Sequence, residues 1–182
     1  LKEDRIRRGG ETILTDVDVL VRRDTRAHLR GPNGSGKTTL MTELLQTSRL
    51  PPERVLYLPQ ELSPEEVRQN REEMLALPDP EKGRLLQIVA ALGIPPERLL
   101  SSEDPSPGEA RKLALATGLT RQAWLLMLDE PTNHLDLPSI ENLEEALAAY
   151  ASALVLVTHD TRLAGALTTE SWTIREGRVV RS

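Results

Sequence analysis

The eight residues Gly31-Pro32-Asn33-Gly34-Ser35-Gly36-Lys37-Thr38 match the pattern of a phosphate-binding loop. An apolar run ends just before them, and the segment from Lys37 to Leu45 has helical spacing. Glycines let successive main-chain N–H groups point at phosphate oxygens, and a helix start adds partial positive charge. We therefore predict a strand, a phosphate-binding loop and a helix, with Lys37 at the β- and γ-phosphates of a nucleotide and the Thr38 hydroxyl on Mg²⁺.

The composition is that of a single globular domain without a preferred type of partner. The chain has 182 residues, 38% of them hydrophobic, and a net charge of −5, so binding to nucleic acid would need a local basic patch. The segment Arg22 to Arg26 could contact RNA, but a solvated loop is the preferred interpretation. The absence of cysteine excludes disulfides and thiolate metal sites.

The hydropathy pattern contains neither a membrane span nor a secretory signal, because no apolar run reaches about 18 residues. We expect a soluble, cytoplasmic protein without membrane insertion. The chain begins with Leu1 rather than Met, and we interpret it as part of a longer protein.

Short apolar runs alternate with segments of helical spacing, which predicts an α/β fold with a mostly parallel sheet. The segment 62–105 is rich in Pro, Glu and Arg and is predicted to be a small helical insertion, with helices near 64–76 and 81–92. Thr12 to Val21 and Trp172 to Val180 are predicted antiparallel edge strands, with a tight turn at Glu176-Gly177. The core strands are predicted at Ala27 to Leu29, Val55 to Leu58, Trp124 to Leu128 and Ala153 to Val157.

Polar residues follow three of these apolar runs, where the carboxyl ends of parallel strands form ligand sites. Asp129 is predicted to hold Mg²⁺, and Glu130 to orient and polarise an attacking water. His159 is a candidate sensor of the γ-phosphate, and Gln60 a candidate bridge between Mg²⁺ and water. Each of these residues taken singly also fits a solvated loop, and the phosphate-binding loop upstream is what favours the functional interpretation.

Ser106-Pro107-Gly108-Glu109 predicts a helix start with a serine cap, a proline in the first turn and a reciprocal glutamate. Ser63-Pro64-Glu65-Glu66 has the same pattern except that Glu65 replaces the glycine. Glycine in a helix is unfavourable by about 1 kcal/mol, and nothing in the local sequence requires Gly108. Bare N–H groups at a helix start suit an approaching anion, so the stretch is either a simple cap or a second anion site for a nucleotide held by another domain.

Together these motifs resemble the nucleotide-binding domain of ATP-binding cassette (ABC) proteins over nearly the whole chain, 1–182. The resemblance implies a RecA-like core with a small helical subdomain, Mg-dependent ATP hydrolysis, and a nucleotide site that extends to Thr39. It also implies a head-to-tail pair of cassettes, from the same polypeptide or from two copies. In such a pair Ser106 and Gly108 would contact the γ-phosphate held by the other cassette, and Asp136 would lie where the two sites meet.

The stretch from Asp129 to Asp136 more narrowly resembles the ABC-F group, whose members carry two cassettes in one polypeptide and often act on the ribosome. The Ser-Pro-Gly-Glu form is similar to the second cassette of such a protein. The resemblance thus implies a ribosome or rRNA partner through the full-length protein. The alternatives are an ATPase subunit of a membrane transporter and a nucleotide-dependent scaffold that does not hydrolyse ATP.

The sequence departs from the family pattern in two places. Pro105 and Pro107 replace the usual residues beside Ser106. An aromatic residue that stacks on adenine is expected near positions 6–8, where Ile6-Arg7-Arg8 stands instead. Stacking on the base must therefore come from an arginine face, an apolar contact or the other domain.

Overall fold

A six-stranded sheet forms the centre of the molecule. The computed structural model describes residues 1–101 and 105–182, and the strand order in this sheet is β4-β5-β6-β3-β7-β8. All neighbouring pairs from β4 through β7 are parallel, and β8 pairs antiparallel with β7. These six strands are β3 (Arg26–Arg30), β4 (Val55–Leu58), β5 (Leu125–Asp129), β6 (Ala153–Val157), β7 (Glu170–Arg175) and β8 (Arg178–Arg181).

The four predicted core strands are all present, which confirms the α/β fold with a mostly parallel sheet. Every residue of β5 and β6 is buried, because each strand has a neighbour on both sides and helices cover both faces of the sheet. This burial explains why these two strands appear in the sequence as continuous apolar runs.

The antiparallel parts of the structure lie outside the parallel core. β7 pairs parallel with β3, so only the second half of the Trp172 to Val180 segment is an antiparallel edge strand. Glu176 and Gly177 form the turn between β7 and β8 with φ angles of 49° and 73°, as the two-residue turn of a hairpin requires. β1 (Lys2–Arg8) and β2 (Glu11–Asp18) form a separate antiparallel sheet.

Seven α-helices in the described residues surround the sheet. The segment between β4 and β5 contributes four of them and no strand within the part of the chain that the structure describes; residues 102–104 of the predicted insertion lie outside that part. No helix of the described residues is long and apolar enough to cross a membrane. The helices are α1 (Lys37–Thr47), α2 (Pro64–Ala76), α3 (Asp79–Ala91), α4 (Pro96–Ser101), α5 (Pro107–Thr120), α6 (Leu137–Ala149) and α7 (Thr161–Leu167).

The sheet divides the apolar interior into two clusters. One lies between the sheet and helices α2 to α7, and it contains Leu58, Leu113 and Leu156. The other lies on the opposite face, under α1 and the β1–β2 sheet, and it contains Leu14, Met41 and Val155. Since β3, β4, β5 and β6 run in the same direction, their carboxyl ends meet at one edge of the sheet.

Candidate nucleotide-binding site

The predicted phosphate-binding loop joins β3 to α1 at this edge. Gly36 caps α1 in a left-handed conformation with a φ of 101°, and a Cβ there would lie 2.7 Å from Cγ2 of Ile13. Lys37 folds back over the loop, and its Nζ donates to the carbonyl oxygens of Gly31 and Pro32 at 2.8 and 3.0 Å. The ammonium is therefore held where phosphate oxygens can replace these carbonyl acceptors.

The side chain of Ser35 also belongs to this loop. Its hydroxyl oxygen is buried and has no hydrogen-bond partner among the described residues. An unpaired buried hydroxyl is unfavourable by about 1–3 kcal/mol. A phosphate ligand in the loop would offer such a group an acceptor.

Thr38 and Asp129 form a pair of oxygen donors at the phosphate end of the site. The Thr38 hydroxyl donates to Oδ2 of Asp129 at 3.0 Å, and Asp129 is only 3% exposed. Burial raises the pKa of Asp129, while the Thr38 hydrogen bond and the charges of Lys37 and Arg111 act in the opposite direction. A hydroxyl and a carboxylate at this position fit a hard divalent cation such as Mg²⁺.

Glu130 and His159 meet next to this pair. Glu130 is 9% exposed and has a left-handed φ of 48°, a backbone strain that is typical of functional positions. The main-chain N–H of Glu130 donates to Val157 at 2.8 Å, and the main-chain N–H of His159 donates to Oε2 of Glu130 at 3.3 Å. The imidazole Nε2 lies 3.6 Å from Oε1 of Glu130, while the histidine side chain is 77% exposed.

These groups line one cavity of about 680 Å³. Gln60, which follows β4, lies at its wall and is exposed. The structure therefore brings together the residues predicted at the ends of four strands. The predicted residues in the wall are Asn33, Gly34, Gly36, Lys37, Thr38, Thr39, Gln60, Asp129, Glu130 and His159.

Arg8 and Ile13 line the same cavity from the β1–β2 sheet. Arg8 ends β1, close to the position where an aromatic side chain was expected, and Ile13 contacts the loop at Gly36. A guanidinium face and an apolar side chain are thus both available at this wall. The sequence had left these two possibilities open beside a contribution from another domain.

Ser106, Gly108 and Asp136 lie elsewhere. None of the three, all within the described part of the chain, lines the cavity. The Ser106 hydroxyl accepts from the N–H of Glu109 and completes a capping box at the start of α5. Asp136 caps α6 by accepting from the N–H of Ser139 at 3.2 Å, and the side chains of Ser106 and Asp136 are exposed.

A tertiary contact, rather than any feature of the local sequence, requires a glycine at position 108. A Cβ on Gly108 would lie 2.7 Å from the carbonyl oxygen of His134, which is closer than real Cβ contacts come. The requirement comes from the loop after β5, where His134 has a φ of 63°. A contact between positions 26 residues apart was not visible in the local sequence.

Sequence reasoning also missed Arg111, the largest charged side chain of the interior. It is 2% exposed and donates to the main-chain oxygens of Pro59, Gln60, Asp129 and Glu130. One signal was available in the sequence: positions 110–119 are apolar except for Arg111, Lys112 and Thr117. In the structure all ten of these residues are buried. A helix with so little polar surface leaves its basic residues no route to solvent.

Comparison with known families identifies the family of this chain. A family model described as "ABC transporter" matches residues 14–82 and 46–133. The chain therefore belongs to the ABC family. Its homologues include ABC-F members, and it is an ABC ATPase domain most like that group.

Three curated relatives show the range of proteins that the chain resembles. Over its whole length it is 30% identical to the "ATP-binding protein Uup" of Caulobacter vibrioides, and the match covers 31% of that relative. It is 32% identical, over 84% of this chain and 29% of the relative, to the "Ribosome protection protein VmlR" of Bacillus subtilis. It is 34% identical, over 85% of this chain and 70% of the relative, to the "Zinc import ATP-binding protein ZnuC" of Cereibacter sphaeroides. The chain spans about a third of the length of Uup and VmlR.

Solved structures agree on the fold. A structure described as the "ATP binding subunit of ABC transporter" superposes with a TM-score of 0.78 at 22% identity, covering 100% of this chain and 88% of that one. A second, the dimeric ATP-binding cassette MJ0796 bound to ADP and Pi, superposes with a TM-score of 0.76 at 19% identity, covering 98% and 94%. ABC ATPase domains are thus the structural neighbours of this chain.

Proposed function

We propose that this chain is a single cassette, 1–182, that binds ATP with Mg²⁺ and hydrolyses it when paired with a second cassette. The observation that carries the proposal is the cavity in which Lys37, Thr38, Asp129, Glu130 and His159 meet. Thr38, Asp129 and Gln60 would hold the Mg²⁺, which neutralises charge on the phosphate oxygens when bound.

The residues of the chain divide the remaining work. Lys37 and the N–H groups of the loop bind the phosphates, and Arg8 and Ile13 provide a wall for the base. Glu130 holds the attacking water by accepting its hydrogen bond, and its buried position keeps that carboxylate away from bulk solvent. His159 is anchored to Glu130 through its main chain and extends an exposed imidazole toward the γ-phosphate.

The second cassette would complete the site. Ser106, Gly108 and Asp136 do not line the cavity of their own chain, and the exposed Ser106 stands at a helix start that favours anions. A helix start that reaches the γ-phosphate of a facing cassette gives the closed pair an affinity for ATP that ADP does not match. ATP then holds the pair together until hydrolysis.

Nucleotide binding and turnover test this proposal separately. Lys37→Ala is expected to abolish binding of a fluorescent ATP analogue. Glu130→Gln is expected to keep binding but to lose turnover by at least about a hundredfold and to accumulate a closed, ATP-loaded pair in size-exclusion chromatography. Unchanged turnover in Glu130→Gln would refute the role of Glu130, and a wild-type protein without turnover would favour the non-hydrolysing scaffold.

Head-to-tail pairing has a direct test because the natural chain lacks cysteine. Chains carrying Ser106→Cys are mixed with chains carrying Asn33→Cys, and the mixture is oxidised with and without ATP. A disulfide-linked pair that forms only in the mixture and only with ATP supports the arrangement. Equal cross-linking in either single-variant sample contradicts it.

We propose further that the cassette is the second one of a cytoplasmic ABC-F protein that acts on the ribosome. Its similarity to VmlR, whose name describes ribosome protection, supports this placement. Its similarity to ZnuC supports the alternative, an ATPase subunit of a membrane transporter. With ATP present, the complete protein should co-sediment with ribosomes in the first case and fractionate with membranes in the second.

A further inference from the structure

Arg111 connects α5 to two separate loops of the site. Its Nη1 donates to the carbonyl oxygens of Pro59 and Gln60 at 2.9 and 2.7 Å. Its Nη2 donates to the carbonyl oxygens of Asp129 and Glu130 at 3.1 and 2.8 Å. All four acceptors belong to the main chain. The contacts therefore fix the positions of the two loops and do not depend on which side chains the loops carry.

Only a guanidinium can make this set of contacts. Its two terminal nitrogens lie in one plane and point in fixed directions, so each one serves a different loop at the same time. A lysine ammonium is a single point charge and would reach one loop or the other. An apolar side chain of the same volume would leave four main-chain oxygens without this donor, and the bonds to two of them, those of Asp129 and Glu130, are buried.

The position of Arg111 is unfavourable for stability by itself. The residue is 2% exposed, and its Nε has no partner within the described residues. Burial lowers its pKa, and the charges of Asp129 and Glu130 oppose that shift. A buried cation in this setting gains most from its hydrogen bonds, and all of those bonds go to the loops that carry Gln60 and Glu130.

We propose that Arg111 is a positioning residue that fixes Gln60 and Glu130 relative to each other and couples both to α5. This inference rests on the proposed function. The start of α5 carries Ser106 and Gly108, five and three residues before Arg111. A displacement of that helix when a facing cassette docks would therefore move both loops of its own site together.

The neighbouring Lys112 connects the same helix to the start of α6. Its Nζ donates to the Ser139 hydroxyl at 2.6 Å, and that hydroxyl donates to Oδ1 of Asp136. Adjacent basic residues of α5 thus hold the loops of Gln60 and Glu130 and the start of α6, which Asp136 caps. No other described side chain links the Gln60 and Glu130 loops through hydrogen bonds in this way.

Arg111→Met and Arg111→Lys test the inference in the complete protein. Since the phosphate-binding loop is untouched, we expect the affinity for a fluorescent ATP analogue to change by less than about threefold. The kcat of ATP hydrolysis should fall by about tenfold to a hundredfold in Arg111→Met and by less in Arg111→Lys. Millimolar guanidinium should partly restore the kcat of Arg111→Ala, because the free ion can occupy the place of the missing side chain. It should not restore the kcat of Glu130→Gln, because that variant keeps the main-chain contact with Arg111 and lacks only the carboxylate.

A matched control separates positioning from general loss of stability. Leu115 lies on the same helix, is fully buried, and donates no hydrogen bond to either loop. Leu115→Ala should lower the melting temperature at least as much as Arg111→Met and leave kcat within about twofold of wild type below that temperature.

Equal loss of kcat in Leu115→Ala and Arg111→Met would overturn the inference, as would a loss of ATP affinity in Arg111→Met that accounts for its lower activity. If Arg111→Met does not fold, Arg111→Lys takes its place in the comparison with Leu115→Ala. The inference then requires Arg111→Lys to lose kcat while its affinity for the ATP analogue stays near that of wild type. Normal turnover of wild type together with normal kcat of both Arg111 variants would refute the inference alone. Absence of turnover in wild type would refute the proposed function and the inference with it.

Discussion

Two helix starts in this molecule share one local pattern and differ in their surroundings. α2 and α5 both begin with a serine cap, a proline and a reciprocal glutamate, and both capping boxes are formed. On α2, the residue that replaces the glycine, Glu65, is exposed and pairs with Arg68 and Gln69 of its own helix. On α5, Gly108 lies directly against the carbonyl oxygen of His134.

The burial of the two helices follows the same division. Only Met74 is buried on α2, whereas ten consecutive residues of α5 are buried. The capping motif therefore explains where each helix begins, and the tertiary contacts explain why one of them needs a glycine. The steric requirement at Gly108 is independent of any role of this helix start in a facing nucleotide site.

The largest expected effect comes from adding one methyl group at the close contact. Gly108→Ala should destabilise the fold by about 1–3 kcal/mol, because its Cβ must displace the main chain at His134. Urea unfolding measures this change. The matched control is Gly83→Ala on α3, where a Cβ meets nothing within 4 Å and where the better helix propensity should stabilise by about 0.5–1 kcal/mol. Changes of the same sign in the free energy of unfolding of both variants would contradict the steric explanation.

Removing the two capping hydroxyls sharpens the comparison. Ser63→Ala and Ser106→Ala should each destabilise by about 1 kcal/mol, since each hydroxyl accepts from the N–H of the third helical residue. Steady-state ATPase assays of the complete protein should detect a lower rate only for Ser106→Ala. If both variants kept the wild-type rate, the start of α5 would be a cap and nothing more.

Converting the start of α2 to that of α5 should have a smaller effect. Glu65→Gly removes the exposed side-chain pairs of Glu65 and lowers helix propensity, so the loss should be below about 1 kcal/mol. Thermal unfolding followed by circular dichroism measures it, and ATPase activity should stay at the wild-type level. A loss of activity would mean that α2 contributes to the site in a way that its contacts do not show.

The smallest effect concerns pH. The hydrogen bond from the Ser106 hydroxyl, followed by the main-chain bond from Ser106 and the charge of Arg98, lowers the pKa of Glu109 below its ordinary value of 4.5. A lowered folded-state pKa contributes stability above the ordinary value, and this stability is lost as the pH falls through the folded value. Glu109→Gln should therefore flatten the decline in unfolding free energy below about pH 4.5. An unchanged slope would rule out this contribution.

The sequence was most informative where a residue's position follows from strand direction alone. Gln60, Glu130 and His159 each follow an apolar run, and parallel strands deliver all three to one edge, so their convergence could be predicted without any knowledge of loop shape. The phosphate-binding loop could be placed for the same reason.

Contacts that depend on loop conformation could not be predicted. The approach of His134 to Gly108 requires a left-handed residue in the loop after β5, and no local pattern specifies that residue. Arg111 lies 51 residues from Gln60 in sequence, and its contacts depend on how α5 crosses the ends of β4 and β5. The apolar residues around Arg111 in α5 indicate that it is buried but not what it bonds.

The main-chain contacts of Arg111 also bear on how such a site could evolve or be redesigned. Because the guanidinium donates to peptide oxygens, the side chains at positions 60 and 130 can be exchanged while the main chain of both loops keeps its position. A reacting group could then be lost or replaced in one mutational step without a compensating change elsewhere. Inactive or repurposed descendants of this domain would thus keep its architecture long after their chemistry had changed.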